Sequence, residues 1–143
     1  QGTTEKSREV ENEMQVDVCP SLPDAPTLLS EIGKGEWLKV TSQLFNLQML
    51  HVVDLRLVEA YCNEISLYIE AEQWLRDNGR IDEFKNIDGM VIRSQAKPQQ
   101  KIAKDALNSA MKLATQFGLT PVARASISAP AINNNTQINN YFE

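Results

Sequence analysis

Histidine and cysteine are nearly absent: 143 residues hold one histidine, His51, and two cysteines, Cys19 and Cys62. A structural zinc site needs about four ligands at short paired spacings. These three residues stand far apart in the chain, so no metal and no other cofactor is expected. Cys19 lies beside Pro20 in an extended stretch and Cys62 on a helical face, which reads as two free thiols in a reducing compartment. With His51 the sole histidine base, and no Ser or Cys set in a sharp elbow, nucleophilic catalysis lacks its machinery. Glycine is scarce too, at six, and "GKG" at 33–35 lacks the spacing and the Lys-Ser/Thr ending of a nucleotide-binding loop. No apolar run nears the ~20 residues of a membrane span, and the polar opening "QGTTEKSREVENEM" holds no apolar signal segment. The expectation is a cytosolic, non-enzymatic protein of one domain.

Charge is present in both signs but unevenly placed. The chain carries a net −5. Residues 1–84 hold seven Lys and Arg against sixteen Asp and Glu, a balance of −9, and residues 85–143 hold seven against three, a balance of +4. A polyanion would meet the second half. One acid-acid-lysine set, Asp77, Glu83 and Lys85 in "DNGRIDEFK", imitates a metal-nuclease triad. Such sites sit on adjacent strands of a larger sheet, so here the three read as solvated charges.

Residues 1–22 read as a flexible acidic arm, its end running into "CPSLPDAP", whose three prolines enforce an extended lead-in. From Thr27 the apolar positions Leu28, Ile32, Trp37, Leu38, Leu44, Phe45 and Leu47 recur with the spacing of one helix, whose middle Gly33 and Gly35 weaken so that it could break near "GKG". Residues 54–77 form a second helix, capped at or just before Asp54. It is apolar around a wide arc: Val58, Tyr61, Cys62, Ile65, Tyr68 and Ile69 form one stripe. Leu57, Leu67, Ala71, Trp74 and Leu75 form another. So wide an arc needs two neighbours, either two elements of its own chain or one of them from another subunit; the second stripe is the candidate oligomer interface. "EFKNIDGMVIRS", with Asp88 and Gly89 between short apolar runs, predicts a β-hairpin that needs support from packing. Pro98 opens a third helix to Phe117, with Ala103, Ala106, Leu107, Ala110, Leu113, Ala114 and Phe117 on one side and Lys101, Lys104, Asn108 and Lys112 on the other. In "QFGLTPVARASI", Gly118 ends that helix while Thr120 and Pro121 start a short fourth one. Residues 129–143 read as a flexible Asn-rich tail. The fold class is mainly α: a helical-hairpin core over residues 23–128, with the β-hairpin and the short C-terminal helix added.

Clustered Lys and Arg bind phosphate backbones through counterion release without a fixed motif. Arg93, Lys97, Lys101, Lys104, Lys112 and Arg124 are therefore the candidate DNA-binding set, on charge alone. A solvated helix face is the competing reading.

The ordered signals resemble the phage terminase small subunits. "EWLKVTSQLFNLQMLHVVDLRLVEAYCNEISLYIEAEQWLRDNG" is similar to the opening of that family, a Trp-bearing helix followed by an acid-capped helix that ends at Gly. "KPQQKIAKDALNSAMKLATQFGLTPVARASI" is similar to its second half, where Phe117 stands at a position commonly held by Leu. The likeness runs from about Pro23 to Ile127 and is most specific over Phe117–Arg124. It implies a helical protein that assembles as a ring-shaped homo-oligomer and recognises viral double-stranded DNA in the host cytoplasm. It also implies delivery of that DNA to a large terminase subunit, which carries the ATPase and nuclease. The alternative is a protein-binding adaptor that makes no direct DNA contact.

Overall fold

The computed structural model describes residues 15–126. Four helices and one hairpin follow in order: α1 Glu31–Asn46, α2 Leu55–Asn78, β1 Ile81–Lys85, β2 Val91–Ala96, α3 Pro98–Gln116 and α4 Pro121–Ser126, with a single 3-10 turn, Val52–Asp54, leading into α2. The expected tail at 129–143 and the first fourteen residues of the expected arm lie outside the described residues.

The end of that arm behaves differently from its acidic composition. Val18 bridges His51 in antiparallel fashion, the Cys19 N–H donates to the Leu50 carbonyl at 2.8 Å and the Val52 N–H to that of Asp17 at 3.0 Å. Cys19 is buried. Backbone hydrogen bonds to residues 50–52, with the small apolar Cys19 side chain buried beside them, thus tie down residues that net charge alone places in solvent.

The lead-in forms neither helix nor strand, and the Pro23 carbonyl accepts from the Trp37 indole at 3.1 Å. Ser30 caps α1 by accepting from the Gly33 N–H at 3.3 Å, so the helix begins four residues later than Thr27. It runs unbroken through "GKG". Gly33 is there for clearance: a β-carbon at this position would lie 3.3 Å from Leu29 Cβ and 3.5 Å from the Cys62 carbonyl. The glycine read as a breaker is the point where α1 approaches α2.

The core gathers Leu29, Trp37, Val40, Leu44, Leu50, Val58, Cys62 and Phe117, with Leu113 and Leu119 packed against it. Burial and the nearby Glu36 carboxylate push the Cys62 thiol up to about 12. Tyr61 is likewise raised to about 12, by burial and by Glu36, whose Oε1 accepts its hydroxyl at 3.3 Å. Thr41, fully buried, satisfies its hydroxyl on the Trp37 carbonyl at 2.7 Å, as a buried polar group must.

The buried residues of α2 are Val58, Glu59, Cys62, Ser66, Ala71 and Leu75, and those of α3 are Ala103, Ala106, Ala110 and Ala114. Packing between α2 and α3 is the most extensive helix contact in the fold. Alanine at each buried position of α3 removes the bulk that would hold the two backbones apart. Gly79, at φ 78°, closes α2 with its N–H on the Leu75 carbonyl at 2.9 Å.

The hairpin forms where Asp88 and Gly89 place it. Its register pairs Ile81 with Ala96, Asp82 with Gln95, Glu83 with Ser94 and Phe84 with Arg93, then slips by a bulge between Phe84 and Lys85. Asn86 Oδ1 pins the turn by accepting from the N–H groups of Asp88 at 3.1 Å and Met90 at 2.8 Å. Gly89 supplies the positive φ, 80°. Every strand residue is exposed.

The end of α3 is a Schellman turn: the Leu119 N–H reaches the Ala114 carbonyl at 3.1 Å and the Gly118 N–H that of Thr115 at 3.5 Å, with Gly118 at φ 66°. Thr120 then caps α4 by accepting from the Ala123 N–H at 3.1 Å. This buries Ala123 and leaves Arg124 exposed.

Candidate nucleic-acid interface

The six cations chosen by charge do not form one cluster. Lys101, Lys104 and Lys112 are exposed on α3, and at 100° per residue they fall on the side away from Ala103, Ala106, Ala110 and Ala114. Asn108, also exposed, lies between them. The alanine stripe holds this face outward, because burying it against α2 fixes the rotation of the helix. Lys101 spends part of its charge locally, in an ion pair with Asp105 one turn on.

Lys97 and Arg93 sit at the base and on the body of the hairpin. Lys97 is the N-cap residue of α3, and its side chain is only 15% exposed where it meets Asp82 Oδ1 at 3.1 Å. Its ammonium also stands 5.3 Å from the centre of the Trp74 ring on α2, a cation–π distance. It is a structural clasp before it is a phosphate ligand. Arg93 stacks over Phe84 at 5.5 Å and donates to Gln95 Oε1 at 3.0 Å, which leaves its guanidinium on the exposed surface. Arg124 stands past the far end of α3, a helix roughly 28 Å long, and donates to the Leu119 carbonyl at 3.3 Å. Three of the cations, Lys101, Lys104 and Lys112, therefore make a strip along α3, with Arg93 on the hairpin before the helix and Arg124 beyond its end. Charge counting passed over Lys85, which the register sets opposite Val91 at the Arg93 end; its place in the acidic "IDEFK" hid it.

The five residues read as an oligomer interface divide into two groups. Leu57, Leu67 and Trp74 are exposed at 46%, 38% and 38%. Ala71 and Leu75 are buried within the single chain, at 7% and 2%, and so are already covered without a second copy. Of the two neighbours that the wide arc of α2 demands, α1 and α3 both come from the same chain.

Asp77 lies on the last turn of α2 and Glu83 and Lys85 on β1. Among the described residues, no group of three or more His, Cys, Asp or Glu side chains is placed to hold a metal ion, and no helix is long and apolar enough to cross a membrane.

Residues 33–134 match the model of a protein family described as phage terminase, small subunit. No curated protein and no solved structure matches the chain. The matched stretch opens at Gly33, the contact between α1 and α2, and takes in the hairpin, the lysine strip and the Schellman turn. Covering well over half of the chain, it places this protein in the phage terminase small subunit family.

Proposed function

We propose that the chain is the DNA-recognition subunit of a phage genome-packaging machine. In this reading it forms a ring of identical copies in the host cytoplasm, binds viral double-stranded DNA and presents it to the large terminase subunit. The observation that carries the DNA role is the exposed strip of Lys101, Lys104 and Lys112 on an otherwise acidic protein, held outward by the alanine seam behind it. Lysine contacts to phosphate carry no sequence information, so in this reading the strip gives affinity and register on the duplex. Arg93 and Arg124, whose planar forks suit bidentate contacts, flank the strip at its two ends. Leu57, Leu67 and Trp74 are the apolar positions of α2 left for contact between copies.

The test is DNA affinity across a salt series for the unsubstituted chain and for a variant with Lys101, Lys104 and Lys112 changed to Glu, at matched assembly mass. The slope of log affinity against log salt should flatten by about 2.7 for each engaged copy, the contribution of three phosphate contacts. An unchanged slope removes the strip from the interface. Binding of an acidic protein surface with no binding of DNA would favour the adaptor role.

A further inference from the structure

The cation at the head of α3 is engaged in a way the others are not. Lys97 stands four residues before Lys101, the lysine that begins the exposed strip, yet only 15% of its side chain reaches solvent. Asp82 Oδ1 is 3.1 Å from its ammonium, which also lies over the Trp74 ring at 5.3 Å from the centre. Lys104 and Lys112 form no ion pair among the described residues. Lys101 pairs with Asp105, but both side chains are more than half exposed and share one helix. Parting those two costs little and moves nothing else.

Asp82 differs because it belongs to another element. It lies on β1, and neither strand of the hairpin packs substantially against a helix. Polar contacts at the base hold the hairpin to the helices instead. They are the Lys97–Asp82 pair, the Arg80–Glu72 pair at 2.6 Å, and the Arg80 carbonyl, which accepts from the Lys97 N–H at 3.0 Å and from Gln100 Nε2. The Asp82 side chain is itself half in water, at 51% exposed, so an anion in solution has access to the pair. A carboxylate oxygen on an ammonium occupies the place a phosphate oxygen would take, with the same charge-assisted contact.

From this we infer that Asp82 is an internal stand-in for a DNA phosphate, holding Lys97 out of the strip until a duplex displaces it. Lys97 then extends the strip by about one helical turn beyond Lys101. The exchange is one ion pair for another: a phosphate oxygen takes the ammonium and the Asp82 carboxylate returns to water. It releases one of the two ion pairs that anchor the hairpin, while Arg80–Glu72 and the hydrogen bonds to the Arg80 carbonyl remain. Hairpin and DNA compete for one lysine, so each weakens the other's hold on it by the same factor. The inference rests on the DNA reading of the strip given above.

The test is DNA affinity over a salt series, on the full chain at matched assembly mass. Lys97→Gln should flatten the slope of log affinity against log salt by about 0.9 for each engaged copy, the share of one phosphate contact. Asp82→Asn keeps the side-chain shape and removes the charge, and should raise affinity at low salt by about threefold for each engaged copy. Glu83→Gln makes the same change of net charge one residue on, at a carboxylate with no ion pair among the described residues, and should raise affinity distinctly less. In a chain that already carries Lys97→Gln, adding Asp82→Asn should bring no more than Glu83→Gln does. An unflattened slope in Lys97→Gln, equal gains at Asp82→Asn and Glu83→Gln, or a full Asp82→Asn gain without Lys97 each overturn the inference. Helical circular dichroism checks every variant, and an Asn variant that has lost it is replaced by Asp82→Ser, judged by the same comparison. If changing Lys101, Lys104 and Lys112 to Glu leaves the slope unchanged, the DNA reading of the strip fails as well. If that slope flattens and Lys97→Gln has no effect, the stand-in role of Asp82 fails alone.

Discussion

Trp37 and Phe84 are both aromatic residues in regular elements, yet the first is 3% exposed and the second 47%. The difference separates two ways of specifying structure. Around Trp37, the helices and the 17–19 segment are fixed by mutual burial: Leu44, Leu50, Val58 and Phe117 leave water together, and Gly33 trades a side chain for a closer approach. Around Phe84, geometry comes from turn chemistry, with Asn86 accepting two N–H groups and Gly89 taking the positive φ. Burial orders the core within one chain. The hairpin has its shape set locally and keeps its surface for something else.

The sharpest way to break this comparison is to remove one large apolar side chain from each region. Leu50, fully buried, should cost about 2–5 kcal/mol when changed to Ala, from lost transfer energy plus the cavity. Ile87, completely exposed at the hairpin tip, should change stability by no more than about 0.5 kcal/mol. Urea denaturation of dilute protein reads both, and a comparable loss at Ile87 would mean that the tip is packed. A middle-sized effect is expected at Gly118→Ala, where a β-carbon at φ 66° costs about 1–2 kcal/mol. The loss should appear as earlier thermal melting, and if Ala melts with the parent, the turn after α3 tolerates another conformation.

A pH-dependent effect sharpens the core alone. The Cys62 thiol titrates near 9.0 when unperturbed and is raised to about 12 in the fold. Below about 9 both folded and unfolded states hold the proton, so its contribution to stability is complete. Above that the unfolded chain loses the proton first, and stability falls as pH rises toward 12. Tyr61, raised from 10.0 to about 12, acts in the same direction. Changing Cys62 to Ala should therefore flatten the fall in unfolding free energy between pH 8 and pH 11. A slope identical to the parent's would show that Cys62 takes no part in it.

The sequence made α2, α3, the hairpin turn and the Gly118–Pro121 restart legible, because each rests on short-range signals: helical spacing, an Asp-Gly pair, a closing glycine and a capping threonine. Relations across long separations were not visible in this way. Gly33 reads as a breaker until Cys62, twenty-nine positions later, is placed against it. Residues 17–19 read as solvated until the backbone of residues 50–52 offers hydrogen-bond partners. The arc of α2 could be read as needing two neighbours, but only the position of α3 turns Ala71 and Leu75 inward and leaves Leu57, Leu67 and Trp74 outside. The lysine strip was legible because it follows one helix. The surroundings of Lys97 were not legible, because a charge count cannot see an indole ring or an opposing carboxylate.

That lysine has a mechanical consequence. Its backbone belongs to the start of α3, while its ammonium is gripped from one side by the ring of Trp74 on α2 and from the other by Asp82 on β1. The hairpin is thus mounted on a pivot at its base, where Arg80 also pairs with Glu72 of α2 and its carbonyl accepts from Gln100 of α3. Swinging it toward or away from the helical body stretches one of the two grips, so a pull on the ribbon is felt where α2 ends and α3 begins.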